Sequence, residues 1–310
     1  MNDKIIAVAG PTASGKSALA LELCKRLDGE LVSLDSMQIY RGLDIGTAKP
    51  TKAEQAEVRH HMIDICAPTE NFSAAEFAER AHKVIADVQS RGKKVVLCGG
   101  TGLYLDTVLG RLDFGEIESD EKLRDELIAF AEKNGAEALH EKLREIDPQA
   151  AEKIHPNNVR RVARAIEIYE LTGKTRTEHD REAISDSPYD SLIIGLDYDD
   201  REVLYNRINR RVDIMIEEGL EGEVRSLVSR GLLSADSTAG QAIGYKEMLG
   251  DIAGDCSLGD AVEKIKLGTR RYAKRQLTWL RRNPNINWLY PDRLGDFRSL
   301  VCEAEKIINE

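Results

Sequence analysis

The stretch AGPTASGKSALALELCKRL, residues 9–27, sets Gly10, Gly15, Lys16 and Ser17 at the spacing of a loop that wraps phosphate oxygens. The chemistry on offer is anion binding. Across Gly10, Pro11, Thr12, Ala13, Ser14, Gly15, Lys16 and Ser17 the loop aims successive backbone N–H groups and a helix N-terminus at one point. Lys16 adds a positive charge and the Ser17 hydroxyl can ligate Mg²⁺, so a diphosphate fits there. The loop is of the type that holds ATP or another nucleotide, and a kinase or ATPase would be its ordinary owner.

The other parts of such a machine are missing. The run KKVVLC ends in Gly99-Gly100-Thr101, where a nucleotide hydrolase carries the acidic Walker-B residue that helps hold Mg²⁺. Instead, ELVSLD delivers Asp35 at the C-terminal edge of a strand, the side of a parallel sheet where ligands bind. An aspartate there also serves as a helix cap or loop hydrogen-bond acceptor, and by itself Asp35 leaves both readings open. In RINRRVDIMI, Arg207 and Arg211 are four apart and share a helix face, so one or both could reach diphosphate oxygens.

These residues need elements to position them. Lys4 to Ala9, Glu30 to Asp35, Lys93 to Cys98 and Ser191 to Leu196 are short apolar, β-branched runs, the first three separated by helical stretches. That pattern predicts a doubly wound α/β core with a parallel sheet of the P-loop type. From about Asp120 to Thr172 the pattern changes to charged amphipathic helices, broken at Asp147-Pro148 and His155-Pro156. We expect an inserted all-helical lobe at 119–185, flanked by two parts of the core at 1–118 and 186–310. The last twenty residues carry no clear signal.

Composition bounds the setting. A chain of 310 residues has ample apolar content for a core, and its five cysteines are scattered with no close pair, which suits reduced thiols and no structural metal. Nowhere do eighteen apolar residues follow one another, so we expect a cytoplasmic protein without a membrane partner. The net charge of -10 argues against a nucleic-acid coat protein but leaves room for local basic stripes. TRRYAKRQLTWLRR, residues 269–282, holds Arg270, Arg271, Lys274, Arg275, Arg281 and Arg282 and no acid. Arg160, Arg161 and Arg164 form a second cluster, in the lobe. Two runs of one sign in a chain of opposite net charge point to RNA.

GPTASGKS, DSMQIYRGLDIGTAKP, GGTGLY, IHPNNVRRVARAIEIY, RINRRVDIMIEEGLEGEVRSL, AIGYKEM and TRRYAKRQLTWLRR, in this order, resemble the successive motifs of the bacterial tRNA dimethylallyltransferase family, and the likeness spans nearly the whole chain. The resemblance implies transfer of a five-carbon allyl group from dimethylallyl diphosphate to N6 of adenine 37, beside the anticodon, in tRNAs reading codons that begin with U. Diphosphate is then the leaving group, which needs no Walker-B acid. The resemblance further implies that Asp35 manages the N6 proton and that Thr12 lies near the Mg²⁺ and diphosphate. It implies that Asp35, Ser36, Met37, Gln38, Thr101 and the stretch Gln241 to Lys246, with Gly244 inside it, surround the target nucleotide. The partners are therefore the anticodon stem-loop and the allylic diphosphate, with no obligatory protein partner expected. An adenylate isopentenyltransferase is the nearest alternative, disfavoured by the lobe and the paired basic clusters, and a small-molecule kinase is a second.

Overall fold

A computed structural model describes residues 4–110, 120–182 and 187–310. The chain divides into two compact units, Met1–Val108 with Tyr189–Glu310, and Leu109–Pro188. The boundaries expected at 118/119 and 185/186 lie outside the described residues.

The first unit opens with β1 (Ile5–Ala9), α1 (Lys16–Leu27), β2 (Gly29–Ser33), α2 (Lys52–Glu57), β3 (His60–His61), α3 (Ala74–Ser90), β4 (Lys94–Gly99) and α4 (Gly102–Val108). The second unit consists of α5 (Glu121–Asn134), α6 (Ala136–Ile146), α7 (Pro148–Lys153), α8 (Val159–Thr172) and α9 (Arg176–Glu182). The chain then returns to the first unit with β5 (Ser191–Leu196), α10 (Arg201–Glu217), α11 (Leu220–Ser229), α12 (Tyr245–Ala253), α13 (Leu258–Leu280), β6 (Ile286–Leu289), α14 (Pro291–Leu294) and α15 (Phe297–Asn309).

The six strands are parallel in the order β3-β2-β4-β1-β5-β6, the α/β core that the strand-like runs predict. Side chains alternate across each strand. Ile6, Val8, Val96 and Ile194 pack on Leu19 and Leu23 of α1 and on Leu300 and Val301 of α15, while α3 packs against β2 and β4 through a separate set that includes Phe77 and Ile85. Register does the positioning. Ala9 pairs with Gly99, and Ser33 pairs with Cys98, so the chain leaves β1, β2 and β4 at one edge of the sheet and three loops meet there.

Three features were not expected. β2 stops at Ser33, so Asp35 stands in the turn beyond the strand. The strand β6 is only four residues long, and its pairing with β5 comes from tertiary context that its own sequence does not announce. The terminal stretch without clear signal holds α15, whose Leu300, Val301 and Ala304 face the core at helical spacing.

The helical unit has its own core of Leu139, Leu143, Val162, Ala163 and Ile166. Glu167 is buried within it and accepts hydrogen bonds from Asp120 N (2.9 Å), Arg124 Nε (2.8 Å) and Arg164 Nη1 (2.7 Å). Burial pushes its carboxyl upward, yet the bonds from Arg124 and the Asp120 amide hold it below the usual range. Arg164 is therefore a buried-pair partner, which corrects its assignment to the RNA-facing cluster.

Candidate active site

The phosphate loop is gripped from outside by its carbonyls. Arg207 Nε donates to Ala13 O (2.9 Å), the Tyr198 hydroxyl to Ser14 O (3.1 Å), and Lys16 Nζ folds back on Pro11 O (3.1 Å). Ala13 is held at φ 62, a left-handed conformation that a non-glycine residue keeps only when its surroundings enforce it. Burial lowers the pKa of Lys16, Arg211 pushes the same way, and Cys98 and Asp35 push back. Two buried polar atoms at this end have no hydrogen-bond partner, Ser14 Oγ and Arg211 Nε.

The two arginines of α10 are thus separated in role. Arg207 is exposed and spends its Nε on the loop carbonyl. Arg211 is the inner one, with burial lowering its pKa against the opposing fields of Asp35 and Glu218. Lys16 lies in the fields of Arg211 and Asp35, and Arg211 in those of Asp35 and Glu218, so the two cations stand near carboxylates beside the loop.

Asp35 is fixed by its own turn. Its Oδ1 accepts from Met37 N (2.8 Å) and Gln38 N (3.2 Å), the hydrogen bonding of an Asx turn, and Ser36 N donates to Thr101 Oγ1 (3.2 Å). One oxygen of Asp35 therefore organises the loop beside the phosphate site, as its reading as a loop hydrogen-bond acceptor expects. Gln38 is spent internally, its Oε1 accepting from Ser33 Oγ (2.9 Å) and its Nε2 donating to Thr47 O and Ala48 O (3.2 Å each). Met37 is half-buried and Ile39 lies in the core.

Behind this turn the segment 40–49 is staked at two points that sequence reading missed. The buried Lys49 ammonium donates to Tyr40 O (2.8 Å) and to the carboxylates of Asp44 and Asp64 (2.6 Å each). Glu223 accepts from the amides of Asp44 (3.0 Å), Ile45 (2.8 Å) and Gly46 (3.3 Å) and from the Tyr245 hydroxyl (2.6 Å). Both lie within the motifs DSMQIYRGLDIGTAKP and RINRRVDIMIEEGLEGEVRSL, but their roles go unread there because each is a charge whose partners lie elsewhere along the chain.

The glycines at the end of β4 have a steric reason. A Cβ on Gly100 would stand 2.1 Å from Gln276 Nε2, and one on Gly102 would stand 2.1 Å from the Trp279 ring. Helix α13 lies directly on this loop at Gly100 and Gly102, while Leu34 closes the space at Gly99. Gln276 Oε1 accepts from Thr12 N (2.9 Å), Gln276 Nε2 donates to Gly100 O (3.0 Å), and Trp279 Nε1 donates to Asp106 Oδ2 (2.7 Å). Burial, with Asp35 adding to it, pushes the Tyr272 phenol up to about 12. The signal for Gln276 was present: Ala273, Gln276, Leu277 and Leu280 form one buried helical row, in which a glutamine is the odd member.

The basic stripe is narrower than its composition. Arg271, Lys274 and Arg275 are exposed on α13. Arg270 instead donates to Asn209 Oδ1 (2.6 Å), and Arg281 to the buried Asp197 (2.6 Å), so both are held by the protein itself. Arg282 lies over the Trp279 ring. In the helical unit Arg160 and Arg161 are exposed. Gln241 and Lys246 are exposed as well, and Gly244, at φ 97, begins α12. Lys246 and Arg271 also line an open groove together with Lys264.

A divalent ion was expected at Ser17. Among the described residues no group of three or more His, Cys, Asp or Glu side chains could hold a metal. A Mg²⁺ that takes most of its ligands from water and diphosphate needs only one or two protein oxygens. Ser17 is exposed at the start of α1, beside the buried Cys98 thiol with which it hydrogen-bonds, and so fits that need. No described helix is long and apolar enough to cross a membrane.

Comparison with known proteins agrees with this geometry. A family model described as IPP transferase matches residues 38–283. Over 309 residues the chain is 51% identical to the tRNA dimethylallyltransferase of Halalkalibacterium halodurans, covering 99% of this chain and 97% of that one. It is 47% identical to the protein of that name from Caldanaerobacter subterraneus subsp. tengcongensis, covering 96% and 95%. The crystal structure of a full-length tRNA isopentenylpyrophosphate transferase from Bacillus halodurans superposes with a TM-score of 0.73 at 48% identity, covering 99% and 95%. A eukaryotic dimethylallyltransferase acting on tRNA superposes with a TM-score of 0.80 at 31% identity, covering 99% of this chain and 80% of that one.

Proposed function

Because the chain belongs to the IPP transferase family, whose members transfer prenyl groups to tRNA, we propose a division of that reaction among the residues gathered at the sheet edge. The enzyme moves a dimethylallyl group from dimethylallyl diphosphate to N6 of adenine 37 in tRNAs reading codons that begin with U, in the cytoplasm. The carbon–oxygen bond to diphosphate breaks with its electron pair staying on oxygen, the N6–carbon bond forms, and one N6 proton leaves.

One observation carries this reading. The half-buried Lys16 and Arg211 and the carboxylate of Asp35 meet at a phosphate loop whose neighbouring strand ends in glycine in place of an acid, with α13 packed on Gly100 and Gly102. Such a site has charge for a departing diphosphate and a carboxylate for an amine, and no acid for positioning an attacking water. Lys16 and Arg211 bind the diphosphate and take up the negative charge that grows on it as the allylic carbon becomes cation-like. Arg207 and Thr12 shape the loop: one bonds its carbonyl, the other gives its amide to Gln276. Ser17 would hold a Mg²⁺ there, and the ion, when bound, would add to the neutralisation of the leaving group. Asp35 accepts the N6 proton through the oxygen that its turn leaves available. Adenine 37 must leave its stack to reach this point, which costs a few kcal/mol. Ser36, Met37, Thr101, Gln241 and Lys246 line the approach, and Gln38 acts by holding the loop beneath it.

The tRNA arm is held by Arg271, Lys274 and Arg275 on one unit and by Arg160 and Arg161 on the other. Counterion release supplies the test. Replacing Arg271, Lys274 and Arg275 with alanine, singly and together, weakens tRNA binding and flattens log K against log[salt] by roughly 0.7–0.9 per lost contact, with donor affinity unchanged. Arg164→Ala, which removes one of the two arginines paired with the buried Glu167, lowers thermal stability and leaves the slope alone. A triple variant with the parental slope would remove α13 from the RNA interface.

A further inference from the structure

Gln276 is 6% exposed and lies in the inward row of α13 among Ala273, Leu277 and Leu280. A buried primary amide is tolerated when both its donor and its acceptor are met. Here they go to the backbones of two different site loops, Thr12 N at 2.9 Å and Gly100 O at 3.0 Å. The residue after Gly100, Thr101, donates its amide to Leu34 O at 3.3 Å and accepts from the amide of Ser36 at 3.2 Å. Gln276 therefore ties the phosphate loop to the Gly100-Thr101 segment, which is itself bonded to both residues flanking Asp35. The side chain at position 100 is absent to let the amide in.

We propose that Gln276 is a positioning residue that holds the phosphate-binding half of the site in register with the half that carries Asp35. This rests on the reading that the loop holds the leaving diphosphate and Asp35 serves the amine. The bond being made spans those halves, since the allylic carbon is tethered to the diphosphate and the nitrogen lies near Asp35. Near-attack geometry requires the reacting atoms about 3–3.5 Å apart, and a misplacement of about 1 Å costs on the order of 10²-fold in rate. Docking on Arg271, Lys274 and Arg275 bears on the same helix, so α13 sets the acceptor against the donor loop directly.

Two variants test the proposal. Gln276→Leu keeps the approximate volume and loses both bonds. Gln276→Glu keeps an acceptor for Thr12 N–H, loses the donor to Gly100 and adds negative charge beside the donor. Steady-state kinetics with dimethylallyl diphosphate and an anticodon stem-loop, normalised to folded protein by circular dichroism, give the readout. For Gln276→Leu, kcat falls roughly 10- to 100-fold while the KM for RNA stays within about threefold. For Gln276→Glu, the KM for the donor rises further than in the leucine variant, because like charge opposes the diphosphate. Should Gln276→Leu not fold, Gln276→Glu alone decides, through a combined loss of kcat and donor KM. Parental kcat per folded molecule, or a loss confined to the KM for RNA, overturns the proposal. If Lys16→Ala is inactive in that same assay, the reading of the site survives; a parent enzyme that transfers no allyl group removes the reading itself.

Discussion

Asp35→Asn lowers the single-turnover rate of allyl transfer by at least about 10²-fold and leaves tRNA affinity within about threefold of the parent. Asparagine is the informative replacement. Asp35 Oδ1 accepts two backbone N–H groups, and an amide oxygen can do the same, so the turn that carries Ser36, Met37 and Gln38 keeps its shape. What is lost is the ability to take a proton. The N6 lone pair of adenine is delocalised into the ring, so the amine attacks well only as its proton departs. General bases of this kind contribute typically 10²–10⁴-fold. Asp35→Ala shows a larger fall together with weaker RNA binding, because it removes the turn's acceptor as well. Single-turnover transfer at saturating RNA, with binding measured separately, divides the two effects. An asparagine variant at the parental rate would take Asp35 out of the chemistry and leave it as a loop residue.

The second large effect is expected at Lys16. Lys16→Ala raises the KM for the allylic donor and lowers kcat by about 10²–10³-fold, the range found when one preorganised charge-stabilising donor is removed. Fold stability should not fall with it. Burial lowers the pKa of Lys16, which means that the protein holds its ammonium at a disadvantage, with Pro11 O accepting a hydrogen bond from it. A variant melting at or slightly above the parental temperature while losing donor affinity fits this account. Parental donor affinity and rate would contradict it. Comparison with Arg211→Ala then asks how the two cations share the leaving group, and Arg207→Ala reports on loop shape through Ala13.

Much of this site is legible along the chain because its parts are local. The glycine loop needs a strand before it and a helix after it, and both are written within residues 5 to 27 as an apolar run followed by regularly spaced Ala and Leu. Asp35 and the Gly99-Gly100 pair stand where consecutive strands end, which a parallel sheet turns into neighbours. Long-range partners are harder to read. Nothing next to Glu223 announces that it will cap the amides of residues 44–46, and Lys49 finds Asp64 only after the chain has passed through α2 and β3.

Charge runs mislead for the same reason. Arg164 reads as RNA-facing beside Arg160 and Arg161, yet three residues further on Glu167 falls on the apolar row of α8 and draws it inward. Arg270 likewise belongs to Asn209, and Arg281 to Asp197, which leaves Arg271, Lys274 and Arg275 on the exposed face, with Arg282 over the Trp279 ring. The Walker-B gap was visible as a missing acid. The helix that packs on this loop was not, because Gln276 reaches Gly100 from 176 residues further along the chain. The odd glutamine in an apolar helical row is the trace such a contact leaves in sequence.

The central claim is that this phosphate loop holds a leaving group and does not transfer a phosphoryl group. It is tested most directly by accounting for every product in one reaction mixture of enzyme, Mg²⁺, tRNA and dimethylallyl diphosphate, with γ-labelled ATP added. The account predicts one C5H8 unit gained on adenine 37 by nucleoside mass spectrometry, one inorganic diphosphate released per unit transferred, and label remaining in ATP. Unmodified tRNA, together with label moving from ATP to a small acceptor or to water, would contradict it.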